Sequence, residues 1–111
     1  MANIIPFAFR GELFSGTHDF ANGGNSFKIA LYTSNPYSTS STAYLTTNEV
    51  SASNTGYTTG GKVLASQAVA SGTAVASVDF ADSALASATF TAAFAAIYND
   101  TNADKLCVVL D

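Results

Sequence analysis

The stretch SFKIALYTS, residues 26–34, decides how this chain reads. Phe27, Ile29 and Leu31 alternate with Lys28, Ala30 and Tyr32, which is the two-residue period of a β-strand. Asn35-Pro36 and the Ser/Thr-rich run behind it mark a loop. Further on, TTNEV and SASNTGYTTGG are again rich in turn residues. Gly56, Gly60 and Gly61 are placed there to supply positive φ angles or a close backbone approach. The runs KVLASQAVA (62–70) and TAVASVDF (73–80) flank Ser71-Gly72 and predict a hairpin. In the second run Ala74, Ala76, Val78 and Phe80 share one face, with Val75, Ser77 and Asp79 on the other.

Toward the C-terminus, Asn99-Asp100-Thr101-Asn102 is a turn sequence. KLCVVL (105–110) then reads as a buried strand bounded by turns. Between the hairpin and that turn, residues 83–98 read both ways. Phe90, Phe94 and Ile97 recur at helical spacing, and Ala is the strongest helix former. Yet Phe90, Ala92, Phe94, Ala96 and Tyr98 also alternate, and Thr and Phe favour pleated surfaces. Upstream, Pro6 to Phe14 predicts one or two helical turns with Pro at an early position, ended by Gly16 and Gly23-Gly24.

Short apolar runs separated by Gly, Ser and Asn predict an all-β fold, an antiparallel β-sandwich or barrel of jelly-roll-like type. Residues 26–111 form its single β domain, and residues 1–25 an N-terminal arm or short helix. The chain stops at Asp111 directly after an apolar strand, from which we expect the natural chain to continue.

Composition excludes several classes of function. With 111 residues, one domain is expected, and its core needs neither disulfide nor metal. A single Cys makes no disulfide framework and no thiolate zinc site. Four basic residues against eight acidic ones, a net charge of −4, leave no footprint for nucleic acid. No apolar run reaches the ~20 residues needed to span a bilayer. The N-terminus lacks the charge-first order of a secretory signal. A cytosolic site of synthesis follows, and Cys107, inside LCVVL, reads as a buried and inert thiol.

Candidate chemistry is thin. His18-Asp19 places an imidazole beside a carboxylate, but a hydrolytic triad needs His18 to reach a Ser while a separate acid orients it. Asp79, Asp82, Asp100 and Asp104 lack the spacing of a calcium loop, and turn capping accounts for them. Gly60-Gly61-Lys62 is followed by Val63, where a phosphate loop needs Ser or Thr. Tyr32, Tyr37, Tyr44, Tyr57 and Tyr98 could line a sugar or peptide platform, or pack half-buried in strands and loops. No catalytic residue, cofactor or metal ligand is assigned. Ser, Thr and Ala on the strand faces, with few charges to strip of water, suit packing against another protein.

A series of motifs carries a resemblance: GTHDF (16–20), SFKIALYTSN (26–35), STAYLTTNEV (41–50), GYTTGGKVL (56–64), VDFADS (78–83), ATFTAAFAAIYND (88–100) and KLCVVLD (105–111). In this order they resemble a family of small tailed-bacteriophage and prophage virion structural proteins. The resemblance covers residues 16–111 and implies a strand rather than a helix over 86–98. Leu85 stands where the family usually has an aromatic residue, and Phe94 where it often has Gly. Family members usually run on past Leu110-Asp111, and they bring no active site.

The resemblance implies a non-enzymatic protein of the virion, made in the bacterial host cytoplasm, that decorates or cements the capsid. Its partners would be the major capsid protein and copies of itself, with no nucleic acid, membrane or cofactor. A tail, neck or baseplate component is one alternative, and a carbohydrate- or receptor-binding β module another. Candidate partner-binding residues are Phe7, Phe9, Leu13 and Phe14 on a docking arm, with Tyr37, Tyr44 and Tyr57. On this reading residues 1–15 are removable without unfolding the β domain.

Overall fold

The computed structural model describes residues 3–54, 56–81, 85 and 88–111. Among these residues six strands and one helix follow the order α1 (Phe7–Phe14), β1 (Phe27–Tyr32), β2 (Lys62–Val63), β3 (Ala68–Ser71), β4 (Ala76–Asp79), β5 (Phe94–Asn99) and β6 (Lys105–Leu110). The decisive stretch forms β1. It sits inside an antiparallel sheet of order β2-β1-β5-β6, and β3 pairs with β4 as a separate hairpin. The fold is therefore mainly antiparallel β. Among the described residues the main sheet ends at β2 and β6 without closing into a barrel.

Alternation along β1 and β5 sorts side chains onto two faces. Ala30, Tyr32, Ala96 and Tyr98 share one face with Leu106, Val109 and Tyr37 in a buried cluster, against which Ile4, Tyr44 and Phe94 pack. Phe27 lies on the opposite face with Leu64 and Cys107, backed by Phe9, Phe20, Ile29, Phe80 and Ile97. Both faces of β1 bear on apolar clusters, which is why its Lys28/Ala30/Tyr32 phase is as interior as its Phe27/Ile29/Leu31 phase.

β6 solves a related problem with a bulge. Ile97 pairs with Val108 but Tyr98 pairs with Leu106, so Cys107 is an extra residue in the ladder. The extra residue resets the alternation. Leu106 and Val109 then join one face while Cys107 and Val108 join the other. This makes physical sense of four consecutive apolar residues in LCVV.

Helix α1 starts after Pro6, whose φ of −62° suits a helix entry and whose missing N–H costs nothing there. It ends in a Schellman arrangement. Gly16, at φ 73°, donates its N–H to the Leu13 carbonyl at 3.3 Å, and Thr17 donates to Glu12 at 3.0 Å. The segment is built into the β fold rather than hanging free. Ile4 and Val109 exchange both backbone hydrogen bonds at 2.9 Å, and Pro6 is fully buried. Within this segment Ile4, Pro6 and Phe9 pack into the fold, and Ile4 covers part of the β6 edge, so we expect a chain lacking residues 1–15 to lose part of its core.

The hairpin expected between runs 62–70 and 73–80 forms only over residues 68–79: Lys62–Val63 pairs with β1 in the main sheet instead, and the reversal falls at residues 72–75 rather than at Ser71-Gly72 alone. Of the ambiguous stretch, residues 94–98 belong to strand β5, 88–93 have no regular structure, and 83, 84, 86 and 87 lie outside the described residues. Gly56, Gly60 and Gly61 all have positive φ, as their sequence context requires. At Gly61 a Cβ atom would collide with the Ile29 carbonyl, so the close approach of this turn to β1 demands Gly.

Candidate docking surface

The sequence-derived partner residues divide into inward and outward sets. On α1, Phe9 turns inward, its ring centroid 5.0 Å from that of His18 and 6.2 Å from that of Phe20. Phe7 and Phe14, seven positions apart, share the opposite face of the helix and are 61% and 94% exposed. The Arg10 guanidinium lies over the Phe7 ring at 5.4 Å, and exposed Leu13 stands between the inward and outward faces.

The tyrosines do not form a platform. Tyr37 and Tyr57 are buried and Tyr44 is half-buried. Tyr37 accepts from Leu45 N–H and meets the Tyr32 hydroxyl, which in turn donates to the Leu45 carbonyl. Glu49 accepts from the hydroxyls of Tyr44 and Tyr57, each at 2.5 Å, and from Gly60 N–H at 2.8 Å. The Tyr57 oxygen also accepts Leu31 N–H at 3.1 Å, where β1 runs past the end of β2. These hydroxyls fasten the 35–61 loops to the sheet. Burial holds Tyr32, Tyr44, Tyr57 and Tyr98 protonated well above the usual tyrosine range, and for Tyr44 and Tyr57 the bond to Glu49 adds to it.

His18 is an interior hub. Asn99 Oδ1 accepts Thr101 and Asn102 N–H, so its amide nitrogen faces His18 Nδ1 at 2.9 Å. That network assigns the imidazole proton to Nε2, which donates to Glu12 Oε1 at 2.9 Å. Glu12 also pairs with Lys105 at 3.4 Å. Asn25 Oδ1 accepts from Asn99, Asn102 and Asp19 N–H. The His18-Asp19 pair is thus split, with His18 partnered by Glu12 and Asn99 rather than by a serine. Cys107 Sγ lies 3.8 Å from His18 Nδ1. Burial, with the nearby charge of Glu12, pushes its thiol up to about 12, so the sulfur stays protonated and unreactive at neutral pH.

Among the described residues, no group of three His, Cys, Asp or Glu side chains could hold a metal ion. Asp82 of the acidic set lies outside the described residues, and Asp100 pairs with Lys28 at 3.8 Å. No described helix is long and apolar enough to cross a membrane.

An apolar groove of about 530 Å³ was not foreseen. It runs between α1 and the β3–β4 hairpin, over the sheet face carrying Ile97 and Val108. Ile5 and Leu13 line one wall, Val78 and Phe80 the other. The sequence showed the shared face of Ala76, Val78 and Phe80, but not that the hairpin would stand apart from the main sheet. Comparison with protein-family models, curated proteins and solved structures finds no match for this chain.

Proposed function

We propose that the protein is a bacteriophage virion structural protein that decorates or cements the capsid. The observation that carries this reading is the outer face of α1, where Phe7 and Phe14 stand in water on a helix anchored to the fold. Exposed aromatic side chains on a rigid support make efficient anchors, because little further ordering is lost when a partner covers them. The family resemblance of residues 16–111 supports the same reading, as does the scarcity of charge. Its mechanism involves no chemistry. Many copies, each with a modest contact on the major capsid protein, act together through multivalency. In this view the antiparallel sheet is one layer of a sandwich-type, jelly-roll-like module.

Incubating undecorated capsids with the purified protein, and imaging them by cryo-EM, tests the proposal. Wild-type protein should occupy the capsid lattice, and the Phe7→Ser/Phe14→Ser double variant should lose at least tenfold in affinity while keeping its melting temperature. Density confined to the tail axis would instead identify a tail component, and no density on any particle would sink the proposal.

A further inference from the structure

The sheet face carrying Ile97 and Val108 is covered incompletely, and its surroundings point to a second copy of the same chain. We propose that the groove between α1 and the β3–β4 hairpin is a two-fold self-association surface. It is separate from Phe7 and Phe14, and the inference goes beyond the capsid reading and does not depend on it.

The first argument is apolar surface. Ile5, Leu13, Val69 and Val78 are 47%, 46%, 56% and 42% exposed, and Ile97, Val108, Phe20 and Phe80 beneath them are half-buried. Val69 pairs with Val78 on the same hairpin face, so these side chains form one continuous apolar surface from α1 across the groove to the hairpin, of the kind that makes up the non-polar part of a stable interface. The second is charge. The chain carries net −4, yet the residues lining the groove are all uncharged. Two acidic copies can meet there without like charges being pressed together. The third is the rim. β3 and β4 are exposed along their whole length, and among the described residues neither outer edge has a partner strand. Asp79 is the hairpin's only charge, and it contains no proline or lysine to block edge pairing. A two-fold axis lets each copy offer the same valine face to the other, which is the symmetry that closes a pair rather than a fibre.

Sedimentation velocity on the purified 111-residue chain between about 1 and 200 μM tests this, since interfaces of standard size give micromolar or tighter association. A concentration-dependent dimer is expected. Leu13→Lys and Val78→Lys should each weaken association at least tenfold, with far-UV circular dichroism and melting temperature unchanged at monomer concentrations. Thr73→Lys, at the hairpin tip and outside the groove, should dimerise like wild type. A monomer across the whole range would overturn the proposal, as would a dimer that both folded lysine variants leave intact. Capsid binding is not a readout here, so failure of the dimer and failure of the capsid reading remain distinct.

Discussion

Gly61 shows how much one residue position can carry. Its φ of 84° is strained for any residue with a side chain, and an added methyl would press on the Ile29 carbonyl. Neither backbone can yield without opening the β1–β2 pairing at Ile29 and Lys62. Gly61→Ala should therefore lower unfolding stability by about 3 kcal/mol or more, read from urea denaturation. Asp104 is a milder case. It sits at φ 54° in the β5–β6 turn, and burial, followed by the charge of Asp100, raises its carboxyl above the usual range. An acid with a raised folded pKa binds its proton more tightly in the native state. Its contribution is thus favourable below the unfolded value and is lost as pH rises through the folded one. Asp104→Asn, which tolerates the same backbone angles, should stabilise the protein at pH 7 by about 0.5 kcal/mol. That advantage should vanish near pH 3, as thermal melts across the range would show.

At the scale of elements, hydroxyl groups and one carboxylate do the work that regular pairing does elsewhere. β2 is only two residues long, so the edge of β1 beyond Ile29 has no strand to pair with there. Glu49 and its surroundings take over. The 48–50 segment bonds to Leu31 and Thr33, and Glu49 gathers Tyr44, Tyr57 and Gly60. Glu49→Gln keeps the shape but turns one acceptor into a donor facing a hydroxyl or an N–H. It should cost about 2 kcal/mol and speed amide exchange at Leu31 and Gly60 before it affects β5 and β6. Equal loosening of every strand would show that the clamp is no local device. Helix α1 works on the same principle of local fixation. Its Glu12 reaches His18 and Lys105, so one carboxylate ties the helix to the following loop and to β6.

For the whole molecule, the N-terminal segment has a packed side and an exposed side that truncation cannot separate. Ile4, Pro6 and Phe9 belong to the folded body, while Phe7 and Phe14 face away from it. Removing residues 1–15 strips the partner from Val109 and bares His18 and Phe20. Point substitutions on the outer helix face therefore test docking, and truncation tests folding. The open groove on one side of the sheet and the aromatic pair on the outer helix give the molecule two candidate contact surfaces.

Much of this was legible in the residues. Two-residue alternation marked β1, paired runs around Ser71-Gly72 marked the hairpin, and a bounded apolar run marked β6, because each of these patterns is local. Turn chemistry marked Asn99 and the three glycines for the same reason. Other features depend on residues far apart in the chain. Glu12, His18, Asn99 and Cys107 meet only when the helix, the following loop and β5–β6 pack together, and no spacing in the sequence encodes that meeting. Tyr37 and Tyr57 looked like contact residues because a tyrosine carries the same chemistry inside and outside; only packing turned them inward. Periodicity and backbone preference were enough for β1, β6, the turns and an antiparallel β class, but left β5 open between helix and strand and did not separate β2 from the hairpin run. Tertiary structure alone decided which apolar faces were covered and which stayed open, because burial depends on what distant segments leave unfilled.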